Sequence, residues 1–234
     1  MWRGLLAESV GTAMLVAIVV GSGIAAARLS PGDVGLQLLE NSTTTAFGLA
    51  VLILLFGPVS GAHLNPVVTV ADWLVKRHAN SRMGGGRVIA YTVSQVVGGI
   101  LGAMLANVMF DRAVLEISTK DRFSTGHLVG EVVATAGLVA VIFTLARTGR
   151  TGLSAAAVGA YIGAAYWFTS STSFANPAVT IGRIFSDTFA GISPGSAPGF
   201  IAAQVVGALI GLALVVVLYP GVARQGTAQS EGRR

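Results

Sequence analysis

The 234-residue sequence contains no cysteine, and only 11% of its residues are charged and 7% aromatic. Without cysteine there are no disulfides, thiolate metal sites or cysteine nucleophiles. The scarcity of charge excludes more. With 53% apolar residues and a mean hydropathy of +0.74, the chain cannot clothe a soluble fold in polar surface, so most of it is expected in lipid. No nucleophile beside a base and no cluster of metal ligands stands out, so neither an enzyme, a cofactor nor a metal is expected.

The net charge of +5 does not point to nucleic acid, because the basic residues are dispersed between apolar stretches. Membrane orientation explains them better. With both termini in the cytoplasm, that side receives Arg3, Lys76, Arg77, Arg82, Arg87, Arg147, Arg150, Arg224, Arg233 and Arg234. The other side receives Arg28, Arg112, Lys120, Arg122 and Arg183, as the positive-inside rule requires. Residues 4–27, 88–110, 126–146 and 198–219 each have the length and apolarity of a bilayer-crossing helix. Residues 41–71 and 151–182 are uncharged but too long for one crossing, and each has an Asn-Pro pair near its end. Each is expected to hold a crossing plus a further element. The first stretch lacks a strongly basic leader and carries Glu8 inside it, so it reads as a retained helix rather than a cleaved signal. Residues 221–234 read as a polar tail.

An internal repeat organises these segments. "AESVGTAML" from Ala7 recurs as "GEVVATAGL" from Gly130, pairing Glu8 with Glu131. "SGAHLNPVVT" from Ser60 recurs as "TSFANPAVT" from Thr172, pairing Asn65-Pro66 with Asn176-Pro177. "SQVVGGILGA" from Ser94 recurs as "AQVVGALIGLA" from Ala203, pairing Gln95 with Gln204. Three crossings per half, over about residues 4–110 and 126–220, put the second half upside down relative to the first. The fold class expected is all-α: six transmembrane helices plus two re-entrant half-helices in an inverted repeat, as a single channel domain.

Asparagine is a favoured N-cap and proline suits the first helical position, so both Asn-Pro pairs read as helix starts near mid-membrane. With its oxygen engaged in capping, each asparagine has an amide N–H to offer a passing water or hydroxyl. The positive ends of two half-helices would converge there and oppose cations and protons. Glu8 and Glu131 lie inside spans, where an ionisable group needs a partner. Accepting backbone N–H groups of the re-entrant loops is the role expected of them, rather than a proton relay. Gln95 and Gln204 either brace the same loops or bond between helices. The glycines of "VVGGILGA" and "VVGALIG" read as helix-crossing contacts. His63 reads as a hydrogen-bonded loop residue, with His78 and His127 at span ends.

In "SGAHLNPVVT" and "SFANPAVT", with Glu8, Glu131, Gln95 and Gln204 around them, the chain resembles the major intrinsic protein (aquaporin and aquaglyceroporin) family over about residues 4–220. The resemblance implies a right-handed hourglass bundle, a homotetramer with one pore per subunit, and passive flow of water and small neutral solutes through a lipid bilayer. Central pore residues would be Asn65, Pro66, Val67, Asn176, Pro177 and Ala178. Val67 stands where the family usually has alanine, adding bulk that would alter the half-helix contact or narrow the pore. Val179 stands where an arginine usually lines the outer filter. Ungapped counting from the motif asparagines puts Thr45, Ala164 and Ser173 at the other filter positions, with Phe47 replacing Thr45 if a two-residue gap is allowed. Small, uncharged filter residues imply a wide lumen. The loss of the arginine in an "NPAV" sequence is similar to aquaglyceroporins associated with bacterial arsenic resistance, which implies arsenous acid or glycerol as solutes. A bacterial inner membrane is the expected location. A water-selective channel and a secondary transporter are the alternatives. Arg183, one helical turn beyond Val179, either places a charge at the pore mouth or pairs with Asp187 or snorkels to the interface.

Overall fold

The computed structural model describes residues 1–77 and 84–220. His78, Arg82 and the tail 221–234, with Arg224, Arg233 and Arg234, lie outside the described residues, as do the side chains of Lys76 and Arg77. Among the described residues the chain forms eight α-helices and two single 3₁₀ turns, with no strand. In order these are α1 (Trp2–Leu29), α2 (Val34–Ser60), α3 (Pro66–Arg77), α4 (Gly85–Met109), α5 (Thr125–Arg147), α6 (Ser154–Phe168), α7 (Pro177–Gly182) and α8 (Ala197–Leu218). α1, α2, α4, α5 and α8 are long and apolar enough to cross a membrane. α6, at 15 residues, spans about 23 Å and is extended by the 3₁₀ turn Thr151–Leu153.

The two long uncharged stretches divide as their length demands. Residues 41–71 hold most of α2, a re-entrant turn and the start of α3; residues 151–182 hold α6, a second re-entrant turn and α7. α2 begins earlier than its uncharged run, at Val34, because polar groups in its first turns find partners nearby. Asp33 caps it by accepting the Leu36 N–H at 2.9 Å. Asn41 Nδ2 donates to the Val19 carbonyl of α1 at 2.9 Å, and Ser30 Oγ donates to Glu40 at 2.8 Å. α2 ends at Gly61, whose φ of 94° suits glycine and lets its N–H reach Gly57 O.

Two helix pairs cross with backbones nearly touching. In α4, a Cβ on Gly98 would sit 2.1 Å from Ser9 O, and one on Gly102 would sit 2.1 Å from Ala13 O. In α8, a Cβ on Gly207 would sit 2.5 Å from Val132 O, and one on Gly211 would sit 2.4 Å from Ala136 O. These are the same contacts in each half: Ser9 and Ala13 match Val132 and Ala136 as Glu8 matches Glu131. Small residues at i and i+4 let α1 pack on α4 and α5 on α8 without a side chain between. The half-helices break this symmetry. Gly99 admits α7 until an added Cβ would lie 2.6 Å from Ala178 O. On the other side α8 presents Ala208, which packs in one cluster with Val67, Ala71 and Phe143.

Candidate pore

Asn65 and Asn176 cap the two half-helices. Asn65 Oδ1 accepts the Val67 N–H at 3.1 Å, and Asn176 Oδ1 accepts those of Ala178 and Val179 at 3.0 and 3.3 Å. Pro66 and Pro177 each occupy the first helical position, where a missing N–H costs nothing. Each side-chain amide then crosses to the other loop. Asn65 Nδ2 donates to Ala175 O at 2.8 Å, and Asn176 Nδ2 donates to Leu64 O at 2.7 Å. An amide NH₂ has two hydrogens, so one is spent on this cross-brace and the second remains for the lumen.

The loops leading into the caps are strained in the same places. Gly61, Ala62 and Leu64 have φ of 94°, 47° and 49°; their counterparts Thr172, Ser173 and Ala175 have 61°, 49° and 48°. Left-handed backbone at a non-glycine residue costs about 1–3 kcal/mol and persists only where surroundings impose it. The buried carboxylates supply that constraint. Glu8 accepts the N–H groups of His63 and Leu64 at 3.0 and 2.7 Å. Glu131 accepts those of Phe174 and Ala175 at 2.8 and 2.9 Å. Gln95 Nε2 donates to Glu8 and Thr69 at 2.7 and 2.9 Å. Gln204 Nε2 donates to Glu131 and Thr180 at 2.6 and 2.9 Å. Both glutamines therefore contact carboxylate and half-helix together, rather than only a neighbouring helix.

A cavity of about 560 Å³ runs past both caps. It touches Gly57 and Gly152 where α2 ends and α6 begins, then Asn65 and Asn176, and ends at Tyr166 and Arg183. Its wall is mostly aliphatic, with polar groups at intervals. Of the filter positions counted from the sequence, Thr45, Ser173 and Val179 line it. Phe47 is 71% exposed on the outer side of α2, so Thr45 is the residue that faces the lumen. Ala164 is a correction: it lies on the exposed face of α6, and Ile162 and Tyr166 line the cavity instead. The ungapped count fails because the segment 169–175 is not helical, so spacing from Asn176 does not carry the helical phase back into α6. Tyr166 places its hydroxyl 3.3 Å from Thr45 Oγ1. Val67 is a second correction. It turns away from the lumen into the α5–α8 cluster, while Val68 lines the cavity, so its bulk is taken up by helix packing. Asp72, which the motifs did not single out, also lines the cavity.

Arg183 is 2% exposed and faces the cavity end. Its Nε donates to Ala190 O, and its Cζ lies 3.3 Å from the Phe174 ring centroid. Asp187 is otherwise engaged, accepting the Thr119 N–H at 2.9 Å, and among the described residues no carboxylate pairs with Arg183. Pairing with Asp187 and snorkelling are thereby replaced by a buried, cavity-facing guanidinium. Two further cations bind the same strand of backbone. Arg122 Nε donates to Gly191 O at 2.7 Å, and Lys120 Nζ donates to Phe189 O at 2.8 Å. Burial and then the neighbouring Arg122 and Arg183 lower the Lys120 amine to about 8. Burial lowers Arg122 to about 10.

Comparison with known proteins agrees with this arrangement. The family model for the major intrinsic protein matches residues 1–175, which ends just before Asn176. The chain is 46% identical over 213 residues to aquaglyceroporin AqpS of Rhizobium meliloti (strain 1021), covering 91% of this chain and 88% of that protein. It is 35% identical over 179 residues to aquaporin Z of Photorhabdus laumondii, covering 68% of this chain and 72% of that protein. The X-ray structure of the aquaglyceroporin from Plasmodium falciparum superposes with a TM-score of 0.69 at 20% identity, over 92% of this chain and 95% of that one, a likeness of fold. Two capped half-helices meeting beside a lumen, held by matched buried carboxylates, are thus the work of an integral membrane protein that belongs to the major intrinsic protein family, the channels for water and small neutral solutes.

Proposed function

We propose that the protein is an aquaglyceroporin, conducting glycerol-sized neutral hydroxylated solutes and arsenous acid as well as water. The observation that carries this reading is Val179 in the cavity wall, at the position where a fixed charge would narrow a water filter. The outer filter is then Thr45, Tyr166, Ser173 and Val179, with Arg183 one turn beyond. It offers hydroxyl donors and one guanidinium set back from that ring, a chemistry that suits a triol-like solute. The Ser173 hydroxyl is buried without a protein partner, which leaves it free to bond a passing solute.

In this reading Asn65-Pro66 and Asn176-Pro177-Ala178 form the centre, and Glu8, Glu131, Gln95 and Gln204 anchor the loops. Residues 4–110 and 126–220 act as two inverted halves of one channel domain. The channel is a homotetramer in a bacterial inner membrane with both termini cytoplasmic, in keeping with the distribution of arginine and lysine. The likeness to aquaglyceroporin AqpS supports the solute class.

Stopped-flow swelling of vesicles holding the purified protein tests the proposal. Glycerol and arsenous acid should equilibrate without an ion gradient, at rates well above protein-free vesicles. Water permeation with glycerol excluded would establish the water-selective alternative, and uptake that requires a proton or sodium gradient would establish a transporter.

A further inference from the structure

Arg183 lies seven residues beyond Asn176, as Asp72 lies seven beyond Asn65. Seven residues are close to two helical turns, so each returns to the side of its cap, and both line the cavity. The guanidinium of Arg183 carries five N–H groups. The one on Nε is donated to Ala190 O, and among the described residues neither terminal nitrogen has a protein acceptor. The residue is buried, and four unpartnered donors on a buried group would be strongly destabilising. Their acceptor must be what fills the cavity: an oxygen of water or of a solute.

A second arginine fixes the direction of this fork from behind. Residues 189–191 present three successive carbonyls. Arg183 takes the middle one, Ala190 O. Arg122 takes the two on either side, with Nε 2.7 Å from Gly191 O and Nη2 3.1 Å from Phe189 O. Both guanidiniums also stand beside one ring: the Phe174 centroid is 3.3 Å from Arg183 Cζ and 5.2 Å from Arg122 Cζ. Arg122 is itself tied down, since its backbone N–H donates to Ser196 Oγ at 2.9 Å and its carbonyl lies 2.8 Å from His127 Nδ1. It does not line the cavity.

We infer that Arg183 is a specificity-determining residue whose terminal nitrogens donate to the oxygens of a hydroxylated solute, and that Arg122 is the positioning residue that aims them. The inference rests on reading the cavity as a passage for glycerol-sized solutes. The cavity wall nearby includes Val179 and Ile162, against which a polyol sheds the water around several hydroxyls at once. A planar fork replaces two of those partners together. A water molecule has one oxygen to satisfy and depends on the fork far less. Discrimination between polyol and water therefore follows the orientation of Arg183, and that orientation is set by the carbonyls that Arg122 holds in place.

The test measures glycerol and water permeability in the same vesicles for the wild type, Arg183→Met, Arg183→Lys, Arg122→Gln and the double variant Arg122→Gln/Arg183→Met. Methionine is shorter than arginine, so a guanidinium that merely obstructed the lumen would give a higher glycerol-to-water ratio when replaced. The expected result is the opposite, a fall of about tenfold in Arg183→Met. Arg183→Lys, which keeps the charge and loses the fork, should fall about threefold, and it decides alone if Arg183→Met passes no water. Arg122→Gln should lower the ratio about threefold with Arg183 present and add nothing in the Arg183→Met background, a pattern that general loosening of the fold does not produce. An unchanged or raised ratio in the water-conducting Arg183 variants overturns the role of Arg183, and an additive double variant overturns that of Arg122. A wild type that passes water and no glycerol overturns the solute reading beneath both.

Discussion

The hydroxyl groups of Thr45 and Tyr166 lie 3.3 Å apart in the cavity wall, one from α2 and one from α6. Neither residue reaches the lumen by accident of exposure: both are buried, and the pair ties α2 to α6 beside the cavity. Replacing Tyr166 by alanine should therefore widen the lumen and raise glycerol permeability several-fold. Ala164→Phe, on the exposed face of α6, should change it less than about twofold. Swelling rates normalised to protein content decide between them, and the reverse order would return Ala164 to the filter.

The loop anchors should govern both stability and conduction. In Glu131→Gln, the new amide NH₂ faces backbone N–H donors that the carboxylate now accepts. One buried N–H loses its partner, and the left-handed turn at Ser173 and Ala175 loses its restraint. The expected cost is about 3 kcal/mol, with water permeability reduced along with it. Glu8→Gln should behave alike, since its geometry is the same. Unfolding midpoints in detergent, together with swelling, provide the check.

Helix crossings give a sharper contrast. Gly98→Ala and Gly207→Ala would force a methyl to within 2.1 and 2.5 Å of the Ser9 and Val132 carbonyls, so helices must separate at a cost of about 2 kcal/mol or more. At Gly195 an added Cβ meets nothing within 4 Å, and Gly195→Ala should be neutral within about 0.5 kcal/mol. Equal effects at all three sites would mean the close crossings carry no special load.

Lys120 provides a pH-dependent probe of the cations gathered at Arg122 and Arg183. Only the neutral amine reacts with acylating reagents, so labelling of Lys120 should rise with pH and reach half-maximum near 8, where burial, Arg122 and Arg183 have brought it, well short of the ordinary lysine range. Arg122→Gln should move that midpoint upward, because it removes a positive neighbour that opposes protonation. Mass spectrometry of the labelled peptide over pH 7–11 reads both.

Much of the pore was legible from residues alone because the repeat writes it twice. Glu8 with Glu131, Gln95 with Gln204 and Asn65 with Asn176 are short, specific matches, and their shared order within each half implies equal geometry although the loops between them differ in length. Val179 was reachable next to a motif, and Thr45 by counting back from Asn65 across the short turn 61–65 into α2. Ala164 was not, since its count crossed the longer non-helical segment 169–176, which does not keep the helical phase of α6. Val67 was placed correctly in sequence, but its direction depended on the gap between α5 and α8. Asp72 carried no motif. Its signal was the seven-residue spacing it shares with Arg183, and that spacing acquires meaning only when both side chains are seen against one cavity.

Local chemistry therefore determined the apolar helices, the two capped half-helix starts and the pairing of the halves, because each depends on nearest neighbours along the chain or on solvation by lipid. Which side chains face the lumen was decided by tertiary structure alone. A helix presents every direction in turn, and only the carbonyl-to-glycine crossings and the restrained loops set its rotation and depth against the others. Those contacts join residues tens to more than a hundred positions apart. They turned Val67 into the α5–α8 packing and Ala164 to the exposed face of α6, and brought Tyr166, Arg183 and Asp72 to the pore.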